Sequence, residues 1–201
     1  DSAIVDWPDI KLIEDFLKAC ELRKDDANAQ YNLGINFLET KNYEGALERF
    51  NRSIELDPKE PKFYSSKALT LFHSNQFDQA LNEFSKAISL YPPSKASECW
   101  YNKGNTLLNL NRLDESLAAF ETLVEHAIGQ KLLAKIYYAK GLTFERLEQV
   151  EALDTFSRCL ELITDKNDSL YLPTLYHLGL NQYRNKLLRE AIMSFSLILE
   201  N

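Results

Sequence analysis

His73, His126 and His177 are the side chains in this sequence best suited to move a proton or to ligate a transition metal near neutral pH. They stand 53 and 51 residues apart, with no C-x-x-C, H-E-x-x-H or G-x-x-x-x-G-K-[ST] element anywhere in the chain. No shared zinc site and no phosphate cradle is legible. Carboxylates such as Glu44, Glu48 and Glu55 recur at spacings of ordinary solvated helix faces. Catalytic, metal-binding and cofactor-binding residues are therefore expected to be absent, and the chain reads as non-enzymatic. What remains is the chemistry of recognition. Tyrosines recur as Tyr31, Tyr101, Tyr138 and Tyr176, with Ser65 in the gap. Beside them come Asn32, Asn102, Asn105, Asn109, Lys135 and His177. Tyrosine offers a flat apolar face and a hydroxyl, and asparagine offers both donor and acceptor to a peptide backbone. Together they suit capture of an extended or helical protein segment. The same residue types also recur simply as packing residues of a repeat.

Those residues must be placed by the stretch Ala27–Glu60, ANAQYNLGINFLETKNYEGALERFNRSIELDPKE, which reads as two antiparallel helices. Leu33-Gly34 falls on the first helix, a turn follows near Asn42, and Ala46, Phe50, Ile54 and Leu56 mark the second. Gly34 and Ala46 lack bulk where the helices cross, Phe50 fills the space one turn on, and Pro58 stops the second helix. The pattern returns along the chain. Ala68, Ala80 and Phe84 follow their counterparts by 34 residues, and Gly104, Ser116 and Phe120 follow after a further 36. Gly141, Ala152 and Phe156 come next, then Gly179, Ala191 and Phe195. Gly104 to Gly141 is 37 residues while Ser116 to Ala152 is 36, so the turn near Glu148-Gln149 is one residue shorter.

On these residues the chain resembles the tetratricopeptide repeat family over nearly its whole length. The resemblance implies an all-α fold, a right-handed superhelical α-solenoid of antiparallel helix pairs, with first helices lining a concave groove. Repeats are expected over 27–60, 61–94, 97–130, 134–167 and 172–201. Residues 8–26 would form a capping half-repeat, where Phe16, Ala19 and Leu22 match the slots of Phe50, Ser53 and Leu56. The whole, 1–201, reads as a single repeat domain. The implied function is a protein–protein interaction scaffold with Tyr31, Asn32, Tyr101, Asn102, Asn105, Asn109, Lys135, Tyr138, Tyr176 and His177 in the groove. Chaperone-docking members of the family hold a carboxylate with a clamp of two Lys, two Asn and one Arg. The corresponding slots here, Tyr31, Ile35, Ser66, Glu98 and Asn102 from the first repeat, do not match it. Later registers keep only Asn102 with Lys135, or Asn105. An asparagine ladder, Asn32 then Asn102, is interrupted by Ser66, Ala139 and His177.

Composition bounds the partners. The formal charge is −7, and residues 1–60 carry 14 acidic against 8 basic side chains. An acidic first third argues against a nucleic-acid backbone and against an anionic membrane surface. Cys20, Cys99 and Cys159 are odd in number and far apart, which points away from a disulfide framework and towards a reducing, cytoplasmic setting. The sequons Asn51-Arg52-Ser53 and Asn167-Asp168-Ser169 are three-residue matches, the first in mid-helix, and are set aside. The start at Asp1 reads as that of a piece excised from a longer protein. On the last helix Ala191, Ile192, Phe195, Ile198 and Leu199 form an apolar stripe. Homo-association through Ile192, Phe195 and Leu199 is therefore the rival expectation to groove binding. A third is a targeting or regulatory domain of a larger enzyme.

Overall fold

A computed structural model describes residues 23–126 and 129–200, together with Lys18. Among these residues there are ten α-helices and no strand. They fall into two compact units that divide between Pro92 and Pro93. The first holds α1 (Ala27–Glu39), α2 (Tyr43–Leu56), α3 (Pro61–His73) and α4 (Phe77–Leu90). The second opens with a 3-10 turn, Pro93–Lys95, followed by α5 (Ser97–Asn109), α6 (Leu113–His126) and α7 (Gln130–Arg146). It ends with α8 (Glu151–Leu162), α9 (Tyr171–Arg184) and α10 (Leu188–Leu199). Each odd-numbered helix pairs with the next even-numbered one as a hairpin. This is the all-α repeat fold of the tetratricopeptide solenoid class.

Local chemistry sets the boundaries. Asp26 caps α1, its carboxylate accepting from the backbone N–H groups of Asn28 at 2.9 Å and Ala29 at 3.1 Å. Pro61 occupies the first turn of α3, where its missing donor costs nothing. The turns inside all five hairpins share one construction. Lys41, Asn75, Asn111, Glu148 and Lys186 adopt left-handed backbone with φ between 56° and 63°. The residue after each donates its N–H to the carbonyl five residues back: Asn42 to Phe37, Gln76 to Leu71, Arg112 to Leu107, Gln149 to Phe144, Leu187 to Gln182. This closing bond is a Schellman motif, usually built with glycine at the left-handed position. Here none of the five is glycine.

Within each hairpin the core is a phenylalanine laid on a small residue. Phe50, Phe84, Phe120 and Phe156 are fully buried. A Cβ placed on Gly34 would lie 2.6 Å from the Phe50 ring, on Gly104 2.6 Å from Phe120, and on Gly141 2.5 Å from Phe156. The ring thus occupies the volume of the absent side chain, as the recurrence predicts. Ser116, at the small crossing slot of α6, is buried and donates its hydroxyl to the Gly104 carbonyl at 2.9 Å, so it packs without an orphaned polar atom. Burying one such ring contributes roughly 1.5–3 kcal/mol.

Three differences from the sequence reading stand out. The capping half-repeat, 8–26, falls almost wholly outside the described residues. Helix α7 begins at Gln130, one turn before position 134, because Gln130 to Ala134 are good helix formers behind Gly129, whose φ is 97°. In the terminal stripe, Ala191 is only 3% exposed, because it occupies the small crossing slot against α9. Phe195 and Ile198 are half-buried, whereas Ile192 and Leu199 are 65% and 87% exposed.

Candidate functional site

Each unit sets its own first helices side by side, and the recurrent tyrosines lie where they meet. In the first unit the Tyr31 ring sits 5.8 Å from Phe50 on α2 and 5.3 Å from Phe63 on α3. The Lys62 ammonium donates to the Asn28 carboxamide oxygen at 2.8 Å and lies 5.3 Å from the centre of the Tyr31 ring. Asn32 is exposed, and its main-chain carbonyl accepts from the Asn36 amide at 3.0 Å. Tyr31 is therefore half structural: one face supports the core and the other borders Lys62.

The second unit gathers the remaining candidates. Tyr101 and Tyr138 each lie 6.1 Å from their hairpin phenylalanine, Phe120 and Phe156, and Tyr176 lies 6.5 Å from Phe195. Tyr176 is 50% exposed, the most open of the four. On α5, Asn102 and Asn105 are half-buried, with main-chain carbonyls that accept from Thr106 at 2.7 Å and Asn109 at 2.9 Å. Their own carboxamides bond no described residue, and neither counts among the buried atoms lacking a partner. Both amides open on solvent one turn apart, beside Tyr101. Lys135 is exposed one turn before Tyr138 on α7. Burial, chiefly, with lesser effects of Cys159, Glu145 and Tyr101, raises the Tyr138 phenol above its ordinary range, so it remains a donor.

His177 lies in a cluster formed by α7, α8 and α9. Its ring stacks on Phe156 at 5.5 Å and 15°, while Tyr138 and Tyr176 stand nearly perpendicular at 5.9 Å and 5.5 Å. Nδ1 contacts Glu145 Oε2 at 2.7 Å, and Arg184 donates to Glu145 Oε1 at 2.9 Å. The Glu145 side chain is only 13% exposed. Next to it, Arg146 donates to the Leu108 carbonyl at 2.6 Å, so this guanidinium caps the end of α5 across a repeat boundary. Glu145, Arg146, Asn181 and Arg184 line an open cleft of about 590 Å³. His73 is exposed on α3, and the side chain of His126 lies outside the described residues.

Glu145 is the residue that sequence reasoning missed. Its slot holds Leu38, Phe72 and Leu108 in the preceding repeats and Tyr183 in the last, so a carboxylate there replaces an apolar side chain. A lone charge in an otherwise apolar register is the signal that a partner must face it.

Known proteins resemble this chain in sequence and in fold. The "Small glutamine-rich tetratricopeptide repeat-containing protein 2" of Mycosarcoma maydis is 26% identical over 122 residues, covering 61% of this chain and 32% of that protein. The chain spans a third or less of the length of the first curated relatives it matches. Among solved structures, MamA from Desulfovibrio magneticus RS-1 superposes with a TM-score of 0.75 at 22% identity, over 87% of this chain and 93% of that one. YrrB, described as a TPR protein with an unusual peptide-binding site, gives 0.70 at 19% identity over 92% and 91%. Both structural likenesses bear on the fold alone. Residues 16–123, more than half of the chain, match the family model described as Anaphase-promoting complex, cyclosome, subunit 3, and the chain belongs to that tetratricopeptide-repeat family.

Proposed function

We propose that the chain is a non-enzymatic interaction module, one repeat domain over 1–201, that binds a protein segment along the groove side of its first helices. The observation that carries this reading is the pair of open carboxamides, Asn102 and Asn105, beside Tyr101 on α5. A polar pair that bonds no described residue, next to an aromatic face, fits a peptide backbone better than it fits any role in packing. In the second unit Asn109, Lys135, Tyr138, Tyr176 and His177 extend this surface, and in the first unit Tyr31 and Asn32 stand at the corresponding slots. The family model is named for a subunit of a multiprotein complex, and the YrrB description mentions a peptide-binding site; both agree with this reading. The test is isothermal titration of the intact chain with a peptide selected from a random display library. Asn102→Ala with Asn105→Ala is expected to weaken binding by about 0.5–1.5 kcal/mol per lost bond, with helicity unchanged. Unchanged affinity in the double variant would remove the groove from the account.

A second reading, self-association through Ile192, Phe195 and Leu199, is favoured by the exposure of Ile192 and Leu199. No described helix is long and apolar enough to cross a membrane. A cytoplasmic setting, without nucleic-acid or membrane partners, belongs to the same proposal.

A further inference from the structure

We propose that the surface where α7 meets α9 accepts a neutral hydrogen-bond donor from the partner, an amide or hydroxyl side chain, and that Nε2 of His177 is the acceptor. This rests on the groove reading and names the chemistry of one of its sites.

The argument starts at Glu145. An ionised carboxylate only accepts hydrogen bonds, and its two oxygens are committed, Oε1 to Arg184 at 2.9 Å and Oε2 to Nδ1 of His177 at 2.7 Å. Nδ1 must therefore carry the proton. In a neutral imidazole this leaves the lone pair on Nε2. Nε2 bonds no described residue, and it is not among the buried side-chain atoms without a partner. It therefore opens on solvent. The ring cannot turn freely to offer its other edge. Phe156 lies beneath it at 15°, and Tyr138 and Tyr176 close its sides at 72° and 78°.

The surroundings select the ligand class. A carboxylate would face the Nε2 lone pair. A cation would find the Glu145 charge already matched by Arg184 at 2.9 Å. A neutral donor meets neither penalty. It would meet Nε2 between the Tyr138 and Tyr176 rings, which stand nearly perpendicular to the imidazole.

Two measurements on the intact chain test this. Imidazole nitrogen–proton correlation spectra without any ligand should show His177 protonated at Nδ1, with this preference lost in Glu145→Ala. Protonation at Nε2 in the parent chain overturns the proposal. Selection of random displayed peptides should enrich Asn, Gln, Ser or Thr at one register position, and the preference should vanish with His177→Phe, which keeps an aromatic ring on Phe156. A binder so selected should lose about three- to tenfold in affinity with His177→Phe and regain part of it with His177→Gln, which restores an acceptor. Enrichment of Asp, Glu, Lys or Arg at that position, or an unchanged preference in His177→Phe, overturns the donor site while leaving the groove intact. If no selected peptide depends on Asn102 and Asn105 either, the groove reading fails and takes this site with it.

Discussion

At the scale of single residues, Gly104 and Cys99 show how little room the hairpins leave. The Phe120 ring lies where a side chain on Gly104 would begin, 2.6 Å from the Cβ position. Gly104→Leu is expected to destabilise the chain by roughly 1–3 kcal/mol through overpacking, read as a lower melting temperature by circular dichroism. A melting curve matching the parent would show that the crossing can widen. The second repeat gives the contrast, since Ala68 fills the same slot above Phe84 and both are fully buried. Cys99, 3% exposed, has its thiol pushed up to about 11, first by burial and then by Glu98. Folding favours the neutral thiol, so this contribution is intact below the unfolded value of 9.0 and is lost as pH rises towards 11. Across that window the parent is expected to lose about 2–3 kcal/mol relative to Cys99→Ala in urea titrations. Parallel pH profiles for the two proteins would refute it. The glycine–phenylalanine pairs were legible because both residue types recur in register. Glu145 was harder to place, because a charged residue read singly looks like an ordinary exposed one. Only comparison of repeats shows Glu145 in an apolar slot, and only coordinates show Arg146 reaching the Leu108 carbonyl.

At the scale of elements, the turns inside the hairpins decide where first helices stop. Five non-glycine residues hold left-handed backbone there, and Glu148 and Lys186 do so at φ of 56° and 63°. Such a conformation costs an L-residue with a long side chain roughly 1–2 kcal/mol, less for asparagine. Glu148→Gly is therefore expected to stabilise the chain by about 0.5–1 kcal/mol after the added entropy of the unfolded chain is counted. A higher midpoint in urea at an unchanged slope checks it, and a lower midpoint would mean that the Glu148 side chain makes a contact worth more than the strain. Sequence placed these turns approximately and could not show their construction, because their usual marker, glycine, is absent from every one. The start of α7 was misplaced for a related reason: the crossing residues fix a helix's middle, while its first turn depends on local propensity alone.

At the scale of the whole molecule, apolar exposure among the described residues is concentrated in one place. Among the described residues, eight of the nine strongly exposed large apolar side chains lie on the last hairpin, with Val150 the exception. Met193 is the telling one. Its slot holds Glu48, Asn82, Ala118 and Asp154 elsewhere, all exposed, so an apolar side chain stands here on an outward position of the hairpin. Exposed patches of this kind favour association. Sedimentation velocity over a hundred-fold concentration range is expected to show self-association, abolished by Ile192→Glu with Met193→Glu. A monomer throughout would leave the second reading without support. The bonds between repeats carry a different consequence. Lys62 reaches Asn28 across 34 residues, Ser66 reaches Tyr31 across 35, Arg146 reaches Leu108 across 38 and Arg184 reaches Glu145 across 39. Contacts so near in sequence need only short loops to close, and chains built from them fold fast. During synthesis, a hairpin leaving the ribosome would find its predecessor already formed and could dock at once. The order of translation and the order of assembly would then be the same, and few hydrophobic faces would wait uncovered for a distant part of the chain.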